Sequence, residues 1–203
     1  MLKRMDIEQA LTALRRGEVV VIPTETSYGL GCRAYDTEAV QRVVRAKGRP
    51  AGKPLPVLLP SVEVLRQHDY ETPLLALGER YWPGPLTLVV PAFPGLASDV
   101  TAGTNMVGVR ISPHPIARAI VEGLGEPMVA TSANRSGEPA CSTAAACDQA
   151  GLRGVAGIVD AGELPGGAST VVGLKDGELT SFRAGPITWE ALAVVWAKVR
   201  AVE

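Results

Sequence analysis

The sequence predicts a single-domain α/β fold, residues 1–203, built on a mixed sheet. Stretches with helical periodicity alternate with short apolar runs for most of the chain, a pattern typical of helices packed on a sheet. Near the C-terminus two extended stretches flank Asp176-Gly177, which predicts an antiparallel hairpin and therefore a mixed sheet. With 203 residues, of which 46% are hydrophobic, the chain suits one domain with a sizeable core.

The first half of the chain is predicted to alternate helices and strands. Asp6 is expected to cap a first helix that stops at Gly17, and Asp36 a second helix that ends near Gly48. Residues 19–22 are apolar throughout, which is typical of a buried strand. The remaining elements of this half are a polar turn at 23–29, strands at 55–59, 86–90 and 107–111, short helices at 62–67 and 74–82, and a loop at 94–105.

The second half begins with a helix that runs from Pro115 to Leu124, because proline suits the first helical position. A strand at 128–131 then leads into Ser132-Ala133-Asn134. The remaining elements are a helix at 144–150, a strand at 158–160, a loop at 162–168, the hairpin strands at 170–174 and 178–183, and a closing amphipathic helix at 187–202.

Composition argues against several broad classes of function. A net charge of −1 disfavours a generally basic nucleic-acid binder, and 4% aromatic residues disfavour a base-stacking surface. Cys32, Cys141 and Cys147 lack the pairwise spacing of metal ligands, which favours reduced thiols in a cytoplasmic protein and no metal site. The amphipathic, charged residues 1–17 predict neither a signal peptide nor a membrane span.

The cationic segment Lys47-Gly48-Arg49-Pro50-Ala51-Gly52-Lys53 is the first candidate site. The prolines that follow Arg49 and Lys53 favour extended backbone, so Lys47, Arg49 and Lys53 are expected to line one edge. Guanidinium and ammonium groups suit phosphate oxygens, although a solvated basic loop is the alternative interpretation. The segment is not a Walker loop, and Gly29-Leu30-Gly31 is not a dinucleotide fingerprint, because spacing and partner residues are wrong for both.

Polar clusters at the ends of predicted strands form a second candidate site, since ligands in open sheets usually bind off strand ends. Ordinary turn chemistry is the alternative for each cluster. Arg110 interrupts an apolar strand, so either a core acid or a ligand carboxylate must pair with it. The same question applies more weakly to Arg183. The clusters are Pro23-Thr24-Glu25-Thr26, Ser132-Ala133-Asn134, Arg110 and Ser169-Thr170.

Side chains suited to acid–base catalysis are scarce. His68 and His114 are the two histidines, and His114 lies between prolines, as expected for a turn residue. This scarcity favours a reaction that depends on positioning and charge neutralisation, such as nucleotidyl transfer.

Seven motifs occur in order along the chain, at 23–31 (PTETSYGLG), 47–50 with 53–55 (KGRP, KPL), 82–87 (WPGPLT), 109–110 (VR), 131–137 (TSANRSG), 169–172 (STVV) and 183–187 (RAGPI). Together they resemble the YrdC-like threonylcarbamoyl-AMP synthase family over nearly the full chain. The resemblance implies a twisted, open α/β sheet around a large concave site, in the short form without the extra C-terminal domain of some members.

The family forms threonylcarbamoyl-AMP and pyrophosphate from L-threonine, bicarbonate and ATP, with Mg²⁺. The resemblance therefore implies a cytoplasmic, ATP-binding nucleotidyltransferase. Its product would feed the threonylcarbamoyladenosine modification of tRNA through a separate transfer machinery, with weak tRNA contact and no membrane contact.

Carried over position by position, the resemblance implies two groups of contacts. In the catalytic role, Lys47 and Arg49 would neutralise the leaving pyrophosphate. The contacts to threonine would be Thr26, Arg110, Ala130 and Ser169, with Arg110 pairing the carboxylate. The contacts to ATP would be Lys47, Arg49, Lys53, Ser132, Asn134, Ser142 and Arg183.

Three positions depart from the family pattern. Met106 stands in place of a threonine that contacts nucleotide, Leu58 in place of a histidine near the amino acid, and Ala140 in place of a serine for which Ser142 is the expected substitute. Three alternatives to the synthase are a carbamoyl-adenylate-forming domain like that of hydrogenase-maturation carbamoyltransferases, an RNA-binding module, and a regulatory relative without synthase activity. The first is disfavoured because those enzymes are much longer and contain zinc fingers. Lys47, Arg49, Ser132 and Asn134 are retained, which favours the synthase.

Overall fold

In the computed structural model, which describes residues 1–50, 52–68, 70 and 72–201, the chain forms a nine-stranded mixed sheet flanked by helices. This confirms the predicted α/β class. The strand order is β7-β1-β2-β6-β3-β5-β4-β8-β9. The strands are β1 (Val19–Pro23), β2 (Tyr28–Arg33), β3 (Val57–Leu58), β4 (Leu86–Pro91), β5 (Met106–Arg110), β6 (Met128–Ser132), β7 (Val155–Ile158), β8 (Thr170–Lys175) and β9 (Glu178–Arg183). The helices are α1 (Ile7–Arg15), α2 (Thr37–Lys47), α3 (Glu63–Arg66), α4 (Thr72–Tyr81), α5 (Ser98–Thr101), α6 (Pro115–Leu124), α7 (Ala144–Gln149) and α8 (Trp189–Arg200).

The predicted caps of the first two helices are confirmed. Asp6 accepts a hydrogen bond from the Gln9 N–H (2.8 Å), and the Gln9 side chain accepts one from the Asp6 N–H (3.2 Å). This capping box satisfies donors that the first turn of α1 leaves free. Asp36 caps α2 in a similar way, and Gly48 ends that helix with a left-handed conformation (φ 57°).

Two further local predictions are confirmed by the backbone. Pro115 lies in the first turn of α6, and His114 Nδ1 accepts a hydrogen bond from the Ile116 N–H (3.3 Å). His114 is therefore a helix cap, in keeping with the predicted turn role. The hairpin β8–β9 turns at Asp176 and Gly177, whose φ angles of 54° and 78° match the tight turn expected for Asp-Gly.

The prediction of a turn at 23–29 was wrong at its C-terminal end, because β2 begins at Tyr28. Gly29 and Gly31 interrupt the apolar alternation by which a strand is recognised in a sequence. They are nevertheless strand residues, paired with β1 and β6. A Cβ at Gly29 would lie 3.3 Å from the Thr131 carbonyl oxygen, so glycine allows close packing of the backbone here.

Other element boundaries differ from the predictions by a few residues. The strand predicted at 55–59 pairs only at Val57–Leu58, since the flanking prolines at 54, 56 and 60 have no N–H to donate. β7 overlaps the predicted strand 158–160 only at Ile158, and the loop predicted at 94–105 contains α5. The closing helix is confirmed as α8, whereas Val202 lies outside the described residues.

The two faces of the sheet are covered unequally. On one face, Val19 and Val21 of β1 belong to a large core with α2, α4 and α8. On the other face, Val20 and Ile22 pack with α1 and α6 in a smaller core. This second core extends along the sheet only as far as Leu58 of β3. The face of β4, β5 and β8 on that side is therefore left as the floor of a cavity.

Two predictions from composition can be compared with the described part of the chain. Cys32, Cys141 and Cys147 are free and buried, as predicted. Within the described residues, none of the helices has both the length and the apolar character that a membrane span requires.

Candidate functional site

A cavity of about 570 Å³ lies on the uncovered sheet face. Its described lining contains three arginines, Arg49, Arg110 and Arg183, and one acidic residue, Glu138. The lining therefore has a net positive charge, although the whole chain has a net charge of −1. Local positive charge in a concave, partly dry site attracts anions more strongly than the same charge on open surface.

Residues from each of the predicted strand-end clusters line the cavity, namely Thr24, Thr26, Arg110, Ser132, Asn134 and Ser169, although these strand ends are not all at one edge of the sheet. β5 runs opposite to β1 and β6 in the sheet, so the end of β5 and the turn after β1 lie at opposite edges, and yet the Arg110 side chain pairs with Glu25 of that turn. The floor comes from alternate residues of the strands, such as Met106, Gly108 and Arg110. Sequence reasoning missed Thr87, Val89, Gly108 and Val171, although their period-two spacing was visible in the sequence.

Lys47 is the last residue of α2 and is 2% exposed. Its ammonium donates to the Ser132 carbonyl (2.5 Å), the Asn134 carbonyl (3.1 Å) and Asn134 Oδ1 (2.9 Å), so each of its three protons has an acceptor. Burial and the nearby charge of Arg49 lower the pKa of Lys47 to about 8. The predicted extended edge of three cations is therefore wrong for Lys47, which is helical and bonded to the loop after β6.

Asn134 is buried and uses all of its side-chain hydrogen-bonding capacity. Oδ1 accepts from Lys47 and from Ser132 Oγ (2.6 Å), while Nδ2 donates to the carbonyls of Arg135 (2.9 Å) and Glu138 (2.6 Å). We call Lys47, Ser132 and Asn134 the lysine hub. Because the hub joins α2 to the loop after β6, it fixes one wall of the cavity, which Ser132 and Asn134 line.

Arg49 lines the cavity, whereas Lys53 is exposed and is not among the lining residues. The Arg49 guanidinium donates from Nε to the Lys53 carbonyl (3.1 Å) and from Nη2 to the Pro54 carbonyl (2.8 Å). Partial burial lowers the pKa of Arg49 from its ordinary value. These bonds connect Arg49 to the C-terminal end of the segment that was predicted to hold phosphate. Ala51 of that segment lies outside the described residues.

Arg110 is paired with an acid in this structure, which answers half of the question posed by the sequence. Its Nη1 faces Glu25 Oε1 in an ion pair, and the two side chains are 11% and 14% exposed. Glu25 Oε2 accepts a hydrogen bond from Ser112 Oγ (2.6 Å). Burial and the positive charge of Arg183 lower the pKa of Arg110 to about 10, so the guanidinium stays charged near neutral pH.

Ser169 and Arg183 meet at the start of β8. Arg183 donates from Nε to the Ser169 carbonyl (2.9 Å) and from Nη2 to Ser169 Oγ (3.0 Å). Thr87 Oγ1 lies 2.7 Å from the same Ser169 hydroxyl. The predicted amino-acid contact Ser169 is thus oriented by one predicted nucleotide contact and by Thr87, which sequence reasoning did not single out.

Most of the other predicted contacts also line the cavity. Thr26 and Ala130 do so, and the Thr26 carbonyl accepts from the Gly166 N–H (2.7 Å), which joins the loop before β8 to the turn after β1. Ser142 is not among the lining residues, whereas Ala140 is. Leu58 and Met106, two of the positions that depart from the family pattern, also line the cavity.

An uncovered sheet face with a positively charged cavity, a buried lysine hub and a paired arginine defines an α/β protein whose cavity suits a small anionic ligand. Comparison with known proteins identifies the family. The Sua5_yciO_yrdC family model, described as "Telomere recombination", matches residues 12–185. The chain belongs to this family.

Named relatives are similar over most of the chain. A threonylcarbamoyl-AMP synthase of Bacillus subtilis (strain 168) is 42% identical over 93% of this chain, and one of Pyrococcus abyssi is 38% identical over 92%. The chain spans 56% of the length of each. The crystal structure of P. abyssi Sua5 complexed with L-threonine superposes with a TM-score of 0.86 at 37% identity, covering 95% of this chain and 58% of that one.

Proposed function

We propose that this chain is an L-threonylcarbamoyladenylate synthase, a nucleotidyltransferase that forms threonylcarbamoyl-AMP and pyrophosphate from L-threonine, bicarbonate and ATP. The main support is the likeness to P. abyssi Sua5 complexed with L-threonine, at 37% identity over 95% of this chain. The names of the two curated relatives support the synthase rather than an RNA-binding or regulatory role.

The cavity offers separate places for the two larger substrates. We propose that the threonine carboxylate binds at Arg110, a guanidinium that offers several donors in one plane. Thr26, Ala130 and Ser169 line the same cavity and would complete the amino-acid site. The nucleotide contacts would be Lys47, Arg49, Lys53, Ser132, Asn134, Ser142 and Arg183. Of these, Lys47, Lys53 and Ser142 are outside the described lining.

The proposed reaction begins when the neutral threonine amine forms an N–C bond to carbon dioxide, derived from bicarbonate, and gives a carbamate while one amine proton is released to water. A carbamate oxygen then forms a bond to the α-phosphorus of ATP while the bond from that phosphorus to the pyrophosphate oxygen breaks. Pyrophosphate leaves with the bonding electrons, so fixed positive charge near it lowers the barrier. We assign the direct contact to Arg49, which lines the cavity.

Lys47 has a different part in this scheme, because its three protons already have acceptors. We propose that it acts as a fixed buried charge and holds Ser132 and Asn134 in place. At ~4 Å in a partly shielded site such a charge is worth about 4 kcal/mol to a unit anion. No new bond from the ammonium is needed for this effect.

We propose that Mg²⁺ arrives bound to the phosphate oxygens of ATP, since Mg²⁺ sites often combine substrate phosphates with few protein ligands. The described residues contain no group of three His, Cys, Asp or Glu side chains arranged to hold a metal ion. We further propose that the product passes, in the cytoplasm, to the machinery that modifies tRNA.

The test is pyrophosphate release by the purified protein with L-threonine, bicarbonate and ATP, each omitted in turn. All three should be required, and mass spectrometry should detect threonylcarbamoyl-AMP. Arg49→Ala should reduce the rate by at least about 100-fold, as loss of a charged contact in the transition state does. Arg153→Ala, an exposed arginine outside the cavity lining, is the matched control. Release that is independent of threonine would refute the proposal.

A further inference from the structure

The proposed reaction gives no role to Glu25, the acid that pairs with Arg110. Glu25 lies in the turn between β1 and β2, and its side chain is 14% exposed. The turn is closed on itself, because Thr24 Oγ1 and the Thr24 N–H both donate to the Ser27 carbonyl, at 2.7 and 3.1 Å. Glu25 is therefore presented from a fixed backbone and not from a free loop.

Both oxygens of the Glu25 carboxylate are engaged. Oε1 pairs with Arg110 Nη1, and neither atom has another hydrogen-bond partner among the described residues. Oε2 accepts from the hydroxyl of Ser112, which is itself buried (2.6 Å). Ser112 Oγ in turn accepts from the His114 N–H (3.2 Å) at the start of α6. A continuous chain of contacts thus connects a helix terminus to the guanidinium.

The position of the two residues relative to the cavity differs. Arg110 lines it, whereas Glu25 is not among the lining residues. A guanidinium carries five N–H donors in a rigid plane, so an ion pair at Nη1 fixes the plane without using all of the donors. An unrestrained arginine side chain would lose rotamer freedom on binding a ligand, which costs affinity. Glu25 removes that loss in advance.

We propose that Glu25 is a positioning residue for the amino-acid carboxylate: it orients Arg110 through their ion pair and is itself oriented by Ser112. This inference rests on the proposed function, because it takes threonine as the ligand of Arg110. A competing arrangement predicts the opposite effect on threonine binding. If the Glu25 carboxylate occupied the place of the substrate carboxylate, removing its charge would strengthen threonine binding.

The experiment is isothermal titration calorimetry of the 203-residue chain with L-threonine and, separately, with ATP. It compares the wild type with Glu25→Gln and Ser112→Ala. Glu25→Gln should raise the Kd for threonine at least about tenfold, equivalent to ~1.4 kcal/mol, and leave the Kd for ATP within about twofold. Ser112→Ala should raise the threonine Kd less, by about threefold, because it loosens the carboxylate without removing it. A general structural defect would weaken both ligands alike, so the split between them identifies positioning.

The outcomes separate the two proposals. If wild type binds threonine and Glu25→Gln binds it equally well or more tightly, or if both ligands weaken equally, the positioning role is overturned and the proposed function stands. If wild type shows no threonine binding even with ATP present, the proposed function fails and the positioning role with it. If Glu25→Gln does not fold, Ser112→Ala provides the test, because a rise in the Kd for threonine without a rise in the Kd for ATP again identifies positioning.

Discussion

Two buried cations in this site are compensated in different ways. Lys47 is surrounded by neutral acceptors, namely two backbone carbonyls and one amide oxygen. Arg110 instead faces the carboxylate of Glu25. A buried charge with neutral partners leaves its field available to an anionic ligand, whereas a charge paired with an acid is largely cancelled at a distance. Lys47 therefore contributes positive charge to the cavity, whereas Arg110 contributes hydrogen-bond donors that are held in a fixed orientation.

This division agrees with what each proposed ligand group requires. The leaving pyrophosphate carries several negative charges that grow during the reaction, so it gains from fixed positive charge. The threonine carboxylate keeps one charge throughout and needs to be held at one angle and distance. The site therefore contains an uncompensated cation for the changing charge and a compensated one for the constant charge.

The largest effect on stability is expected from Arg110→Gln. It leaves the Glu25 carboxylate buried without its cation, which typically costs about 3–5 kcal/mol. Urea unfolding followed by circular dichroism measures the loss. The double variant Glu25→Gln with Arg110→Gln should recover most of it, because no buried charge then remains unpaired. If the double variant is no more stable than the single one, the ion pair is not what stabilises this region.

Lys47→Met tests the other cation and should cost less stability, about 1–2 kcal/mol. It removes three hydrogen bonds and leaves no unpaired charge behind, since the acceptors are neutral. Pyrophosphate release should nevertheless fall by at least about 100-fold, because the field at the phosphates is lost. Lys198→Met, on the exposed side of α8, should change neither quantity. Equal losses of stability in the Lys47 and Arg110 variants would contradict the comparison drawn above.

The sequence predicted the two cations but not the difference between them. Arg110 was recognisable because a charged residue in an apolar strand needs a partner, yet the partner lies far away in the chain, at Glu25. Lys47 was assigned to an extended segment because prolines follow Arg49 and Lys53 in that segment, whereas the helix continues through Lys47 to Gly48. Contacts between residues distant in sequence decide both cases, and local patterns do not contain them.

The same reasoning explains which parts of the fold were predictable. Helix ends at Asp6, Asp36 and Gly48 follow from side-chain and backbone chemistry within a few residues, so they were found. The strand β2 was missed because its glycines are required by neighbouring strands and not by its own pattern. The cavity was predicted, but its placement on the sheet face depends on which strands α1 and α6 leave uncovered, and this is a property of the whole fold.

The two cations should also differ in how stability depends on pH. The folded-state pKa of Lys47 is lowered to about 8 from an ordinary value of 10.5. Between these values the unfolded chain binds more protons at this residue than the folded chain, so stability rises with pH in that window. Relative to Lys47→Met, the wild type should therefore gain about 1 kcal/mol between pH 7 and 9. Well below pH 8 both states are protonated and the difference should be constant.

Activity should change in the opposite direction over the same pH range. As Lys47 loses its proton above about pH 8, the positive charge in the hub disappears and pyrophosphate release should decline. Unfolding curves and initial rates at matched pH values measure the two trends on one sample. A stability difference that falls as pH rises would mean that the hydrogen bonds of the ammonium outweigh its burial.

The smallest effect is expected from Thr87→Val, which leaves both cations in place. The change removes a hydroxyl that lies 2.7 Å from Ser169 Oγ, whereas the bond from Arg183 Nη2 at 3.0 Å remains. One neutral hydrogen bond is worth about 1 kcal/mol, and the remaining bond still restrains Ser169. The KM for threonine should therefore rise by only about threefold (~0.7 kcal/mol), with the KM for ATP unchanged. A rise as large as that caused by Glu25→Gln would mean that the orientation of the Ser169 hydroxyl matters as much for threonine binding as the guanidinium of Arg110. Ser169 would then be a third group, beside the two cations, on which binding depends.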